Sequence, residues 1–179
     1  MERLFDKEIT AEDLKQIGIT AFGVIDTAQI VFSEEVRHLC EGNRCRNYGK
    51  TWACPPAVGT FEKCKGECLA YAKALVFASA YPLEDSFDFE GMREGHHAFK
   101  EVCDRLYGML KPPFLLFSNE GCIRCAQCTY PDAPCRFPEK LFPSLEGYGI
   151  LVNDLAKAAG IPYRYGECSV TYFGMVCFG

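Results

Sequence analysis

Ala74-Leu-Val-Phe-Ala-Ser-Ala80, a periodic segment over residues 88–110, and Phe114-Leu-Leu-Phe117 decide the fold. The first is a short apolar run, expected to be a buried strand. In the second, Phe89, Met92, Phe99, Leu106 and Leu110 recur at helical spacing. Glu90, Arg93, Glu94, Lys100, Glu101 and Arg105 fill the opposite face, so a long helix is expected. Gly91, Gly95 and Gly108 weaken it. Pro112-Pro113 ends it, and Phe114–Phe117 is the next strand.

Working outward, Thr10 caps a short helix over 11–17 that Gly18 stops. Ile19 to Phe32 reads as one or two strands, and Ser33 opens a helix with acids in its first turn. Residues 60–71 and Gly149 to Ala159 read as helices, and Val170 to Phe178 as a closing strand. The expected fold is α/β: a mixed sheet flanked by helices, as a single domain over 1–179. Two Cys-rich segments, 40–68 and 122–138, are expected as metal-binding loops hung on that scaffold.

The chain has 179 residues, 12 of them cysteine. At this length a domain buries about 70% of its unfolded surface, so disulfide staples are not needed for a core. Hydrophobic residues make up 49% and charged residues 24%, which excludes a disordered chain. Residues 1–10 have neither the basic nor the apolar region of a secretory signal. No apolar run approaches the roughly 20 residues of a membrane span. A reducing cytoplasm is therefore the expected compartment, where clustered cysteines signal metal or redox chemistry. A net charge of −5 disfavours nucleic acid as a partner.

Cys122, Cys125, Cys128 and Cys135 carry the sharpest signal. Three thiolates separated by two residues each can wrap a loop around one cubane, each reaching a different iron. Zinc, the competitor, usually takes cysteines in pairs, so the triple favours [4Fe–4S]. Arg124, Arg136 and Lys140 stand beside the run and would offset an anionic cluster, unless they are simply solvated.

Cys40, Cys45 and Cys54 offer three thiols at less regular spacing. Cys64 or Cys68 would be the fourth, with Cys64 preferred because it lies nearer the loop. A second [4Fe–4S] cluster is expected there, with zinc, an open iron or no metal as alternatives. Arg37, Arg44, Arg46 and Lys50 make the segment locally basic. Tyr48 and Trp52 would shield the site from water, and Glu146 would cap backbone donors rather than act as acid or base. His96 and Cys103 fall on the apolar side of the long helix and read as core residues.

Cys45-Arg-Asn-Tyr-Gly-Lys-Thr-Trp-Ala-Cys-Pro-Pro56, Gly121-Cys-Ile-Arg-Cys-Ala-Gln-Cys128, Pro134-Cys-Arg-Phe-Pro138, Ser144-Leu-Glu-Gly-Tyr-Gly-Ile150 and Thr171-Tyr-Phe-Gly-Met175 resemble a prokaryotic family of "predicted metal-binding proteins", a domain of unknown function. The resemblance covers most of residues 40–179. It implies metal binding through cysteines, in a family frequent in anaerobes, and leaves Cys168 and Cys177 outside the ligand set.

The expected function is electron transfer by two [4Fe–4S] clusters with a redox partner protein or a small-molecule electron acceptor. A reductase whose substrate meets a cluster directly, and a zinc-stabilised binding module, are the alternatives. If an enzyme, the protein would be an iron–sulfur oxidoreductase.

Overall fold

The computed structural model describes Leu4, Phe5 and residues 9–179. The apolar run around Val76 becomes strand β2 (Lys73–Pro82), and its side chains divide by parity. Ala74, Val76 and Ala78 face one hydrophobic core, and Leu75 and Phe77 face another. A strand buried on both faces needs apolar residues at both parities, so the run is continuous rather than alternating.

Three more strands complete the sheet: β1 (Ala21–Asp26), β3 (Phe114–Ser118) and β4 (Ser169–Phe178). Their order is β1-β2-β4-β3. The helix-flanked α/β sheet stands as expected, but the strand directions differ from a mixed sheet. All three ladders are antiparallel. The cause is β4, which lies between β2 and β3 and runs opposite to both. It pairs with β2 from Lys73↔Phe178 to Pro82↔Ser169, and with β3 from Phe114↔Phe178 to Ser118↔Gly174. β2 and β3 therefore share a direction without touching. Both parities of β4 are apolar, which suits a central strand.

The helices are α1 (Ala11–Gln16), α2 (Glu34–Glu41), α3 (Phe61–Leu69), α4 (Phe89–Tyr107) and α5 (Val152–Ala158). Leu14 of α1 and Phe99, Val102 and Leu106 of α4 pack with Leu75 and Phe77. Cys64 and Cys68 of α3 and Leu155 and Ala156 of α5 pack with Val76 on the other face. Thr10 caps α1 with a reciprocal bond from its own amide to Asp13, as the sequence suggests. α4 keeps its glycines: Gly95 lies against Tyr81, whose Cγ would be 3.1 Å from an added Cβ. Phe89, expected on the apolar face, is 73% exposed, so the core contact begins further along the helix. The helix expected from Gly149 starts only at Val152. Gly149 takes φ 74°, which breaks it from a preceding 3-10 turn, Glu146–Tyr148.

His96 sits at the edge of the core, its ring stacked on Tyr172 at a centroid distance of 5.3 Å. Burial, with help from Lys100 and His97, pushes its pKa down from 6.5 to about 4. Between those values the unfolded chain binds a proton that the folded chain does not. Stability should therefore fall as pH drops from about 6.5 toward 4. Urea midpoints at pH 7 and pH 5 test this. In His96→Phe the difference between the two midpoints should shrink; an unchanged difference would refute the assignment.

Among the described residues no helix is long and apolar enough to cross a membrane.

Candidate metal centre

The two cysteine segments meet beyond the end of β3. Ser118 donates its amide to Pro143 O (3.2 Å), and Ser144 donates its own to Ala53 O (2.9 Å). Residues 53, 144 and 118 thus lie side by side, with an isolated parallel bridge between Ser118 and Ser144. This arrangement covers the open edge of β3 at its last residue. Asn119 extends the β3–β4 pairing: its amide donates to Phe173 O (2.9 Å), and its side-chain oxygen accepts from Phe173 N (3.1 Å). Glu120, Gly121 and Cys122 are placed by that anchor.

Cys122, Cys125, Cys128 and Cys135 line one cavity, as their spacing suggests they could. All four are half-buried. The 122–137 stretch has neither helix nor strand. Its shape comes from Thr129, whose hydroxyl donates to Pro134 O (2.8 Å) and whose carbonyl accepts from Ala133 N (2.9 Å). Phe137 N donates to Cys135 Sγ at 3.5 Å, and an Arg124 amide bond favours the Cys122 thiolate. Burial works the other way and raises Cys122 overall. Arg136 and Lys140 also line the cavity. Arg124 has a different role: its guanidinium forms a two-pronged pair with Asp104 of α4 (2.6 and 3.0 Å). Its charge is largely offset there, so it clamps the loop to α4.

Trp52 belongs by sequence to the first segment but serves the second. Its indole donates to Ala133 O (3.1 Å), its ring stands edge-on to Tyr130 (4.9 Å), and with Thr51 it walls the four-cysteine cavity. A lone tryptophan beside a cysteine gives no hint of that destination.

The 40–68 segment is only partly a loop. Cys40 is in α2, and Cys64 and Cys68 are in α3. The structure brings Cys40, Cys45 and Cys54 together around a cavity of about 140 Å³. Cys64 and Cys68 are elsewhere, fully buried in the core. Cys64 accepts from Arg37 Nη1 (3.4 Å) and donates to Val58 O (3.6 Å). Cys68 and Cys177 are both fully buried in the same core. Cys103 is fully buried, as expected, and burial pushes it up to about 12. Cys168 is exposed.

The other walls of the three-cysteine cavity are oxygen-rich: Glu120, Ser144 and Glu146, with Asn47, Tyr48, Pro55 and Gly121. Ser144 Oγ is 3.8 Å from Cys54 Sγ. Burial, and then the neighbouring Cys45 and Cys54, push Cys40 up to about 11. Desolvation pushes Glu146 up to about 7. A bound cation would reverse the trend for the thiols, since ligand sulfur is held as thiolate.

The two cavities share a wall. Gly121, next to Cys122 in the chain, lines the three-cysteine cavity, and a Cβ on it would be 3.2 Å from Cys54 Sγ. Lys100 lies behind this wall, half-buried, and donates to Ser118 Oγ (2.7 Å) and Asn119 O (2.8 Å). Burial lowers its pKa, while Cys103, Cys122, Glu146 and Glu120 oppose that. A half-buried cation beside Cys122, Glu120 and Glu146 offsets negative charge gathered there.

Among the described residues no three His, Cys, Asp or Glu side chains converge tightly on one point. The space among the four cysteines is about 20 Å³, room for roughly one water. A larger group fits only if the thiols move apart, which four half-exposed cysteines on an irregular loop allow. The donor set is soft sulfur throughout and suits zinc or iron–sulfur rather than magnesium or calcium.

No curated protein and no solved structure matches the chain. A family model described as "Predicted metal-binding protein (DUF2284)" matches residues 23–178, a span that holds both cysteine cavities and every strand but the first residues of β1. The chain belongs to this family of predicted metal-binding proteins.

Proposed function

We propose that the protein is an iron–sulfur electron carrier with two [4Fe–4S] clusters, one held by Cys122, Cys125, Cys128 and Cys135, the other by Cys40, Cys45 and Cys54. The observation that carries this is the shared wall: Cys54 packs against Gly121, one residue from Cys122. Each cluster would supply one-electron chemistry. The chain's own residues set the conditions. Trp52 and Tyr130 keep water from the second site. Arg136, Lys140 and the half-buried Lys100 offset cluster charge, and the Phe137 amide bonds to sulfur, both of which raise a reduction potential. Electrons would pass to or from a redox partner protein or a small-molecule acceptor in the cytoplasm.

Two other functions each have one observation in their favour. The small space among the four cysteines favours a single zinc, and with it a structural binding module. The roomier, oxygen-lined first cavity favours a reductase whose substrate meets a cluster there.

One measurement separates the zinc function from the two iron–sulfur functions. Protein purified without oxygen is assayed for iron, sulfide and zinc, and its visible spectrum is followed on adding dithionite. About eight irons with matching sulfide, and bleaching on reduction, are expected. Colourless protein with stoichiometric zinc would overturn the redox assignment.

A further inference from the structure

We propose that Glu146, not a fourth cysteine, completes the first cysteine site, its carboxylate ligating the metal group held by Cys40, Cys45 and Cys54. This rests on the metal assignment above and specifies its least regular part.

The three thiols come from three different places, the end of α2 and both sides of the 43–55 loop, and face one cavity. Glu146 lines the same cavity from a separate element, the 3-10 turn Glu146–Tyr148. Its backbone is fixed on several sides. Gly149 N donates to Glu146 O (2.9 Å), and Gly147 N donates to Ser144 Oγ (3.0 Å). Arg37 of α2 donates to Gly147 O (2.8 Å), and Ser33 N to Gly149 O (2.8 Å). The contacts that dock α2 on the 146–148 turn therefore also bring Cys40 to Glu146.

Neither remaining thiol of the segment is available. Cys64 already accepts from Arg37 and donates to Val58 O, and Cys68 is fully buried in the core. Glu146, by contrast, makes no direct ion pair: Lys100 is its nearest cation and is committed to Ser118 and Asn119, and among the described residues no Lys, Arg or His lies within salt-bridge distance of it. A carboxylate withdrawn from water needs a partner, and a metal cation is one. Glu120, the other carboxylate on the cavity wall, is exposed to solvent.

Three thiolates and one carboxylate make a lopsided site. Carboxylate is harder than thiolate and holds iron less firmly, so that corner should exchange. The ligand class it would admit is a small lone-pair donor able to displace a carboxylate.

The test uses the full chain, purified and loaded without oxygen, as wild type, Glu146→Ala, Glu146→Gln, Glu146→Cys, Cys64→Ser and Cys68→Ser. Iron per chain and EPR spectra are read before and after brief chelation, with circular dichroism as the check on folding. In the wild type, one iron should leave slowly to the chelator. In Glu146→Ala and Glu146→Gln it should leave at once, taking iron from about eight to about seven with the EPR signal of a three-iron cluster. Glu146→Cys should hold all its iron against the chelator. Cys64→Ser and Cys68→Ser should match the wild type. Loss of first-site iron in either cysteine variant, or Glu146→Ala behaving as wild type, overturns the proposal. If the wild type carries zinc, the two-cluster function fails, and the same variants are read by zinc per chain. Loss in Glu146→Ala with retention in Cys64→Ser then upholds the ligand, and the reverse overturns it. A wild type that takes up neither metal overturns both.

Discussion

On the two-cluster proposal, Cys125→Ser should lower the iron of anaerobically purified protein from about eight atoms per chain to about four. The loss is half, not a quarter, because a cubane that loses one thiolate in a solvent-accessible loop is released whole. Cys125 stands among four half-buried thiols, and only the irregular 122–137 loop keeps them together. The first site should keep its iron, since Cys40 and Cys54 are held by α2 and by the Ala53–Ser144 pairing. Iron analysis and EPR of the reduced protein check both halves. Unchanged iron would mean that Cys125 is not a ligand. Complete loss would mean that the shared wall at Gly121 makes the two sites assemble together.

Gly174→Val should be among the most destabilising single changes in the sheet. Gly174 faces Phe77 directly across the β2–β4 ladder, and the Phe77 ring lies over the bare Cα. An added Cβ would run into that ring, which is fully buried and tilted against Phe99 (5.9 Å). Neither strand can retreat, because β4 is paired on both sides. Overpacking of this kind costs ~1–3 kcal/mol, and a branched side chain on a central strand belongs at the upper end. For a chain of this size that lowers the melting midpoint by ~2–4 °C per kcal/mol. The signature is coupling. Phe77→Leu alone also destabilises, but the double variant should cost less than the two together. Strict additivity would remove the collision as the cause. Gly174 also pairs with Ser118, whose neighbour Asn119 positions the cysteine loop, so weaker metal retention should accompany the lost stability.

Periodicity and burial made much of the fold legible in the sequence. The runs at 74–80, 114–117 and 170–178 became strands, and the segments near 11–16, 61–69 and 89–107 became helices. Each contains its own local evidence: a capping threonine, a 3.6-residue repeat, or a β-rich run bounded by breakers. Strand direction was not local. Nothing within Val170–Phe178 states that it enters between β2 and β3, and that insertion turned an expected mixed sheet into an antiparallel one. The Gly149 break was also misjudged. A glycine at a helix start and one between two turns look alike until φ is known.

The candidate metal centre divides the same way. Cys122, Cys125 and Cys128 are close in the chain, so spacing alone limits how far apart they can be, and they share one cavity with Cys135. Cys40, Cys45 and Cys54 are further apart in sequence, and their meeting depends on α2 docking to the Glu146–Tyr148 turn. Sequence proximity favoured Cys64 as their companion, but helical geometry points it into the core. Glu146, far from all three in the chain, lines the cavity instead. Trp52 likewise crosses to the partner loop. The sequence by itself determined which elements form and which thiols could act together, because both follow from short-range covalent geometry. Tertiary structure decided which side chains from distant segments complete a site, because that depends on which faces pack together.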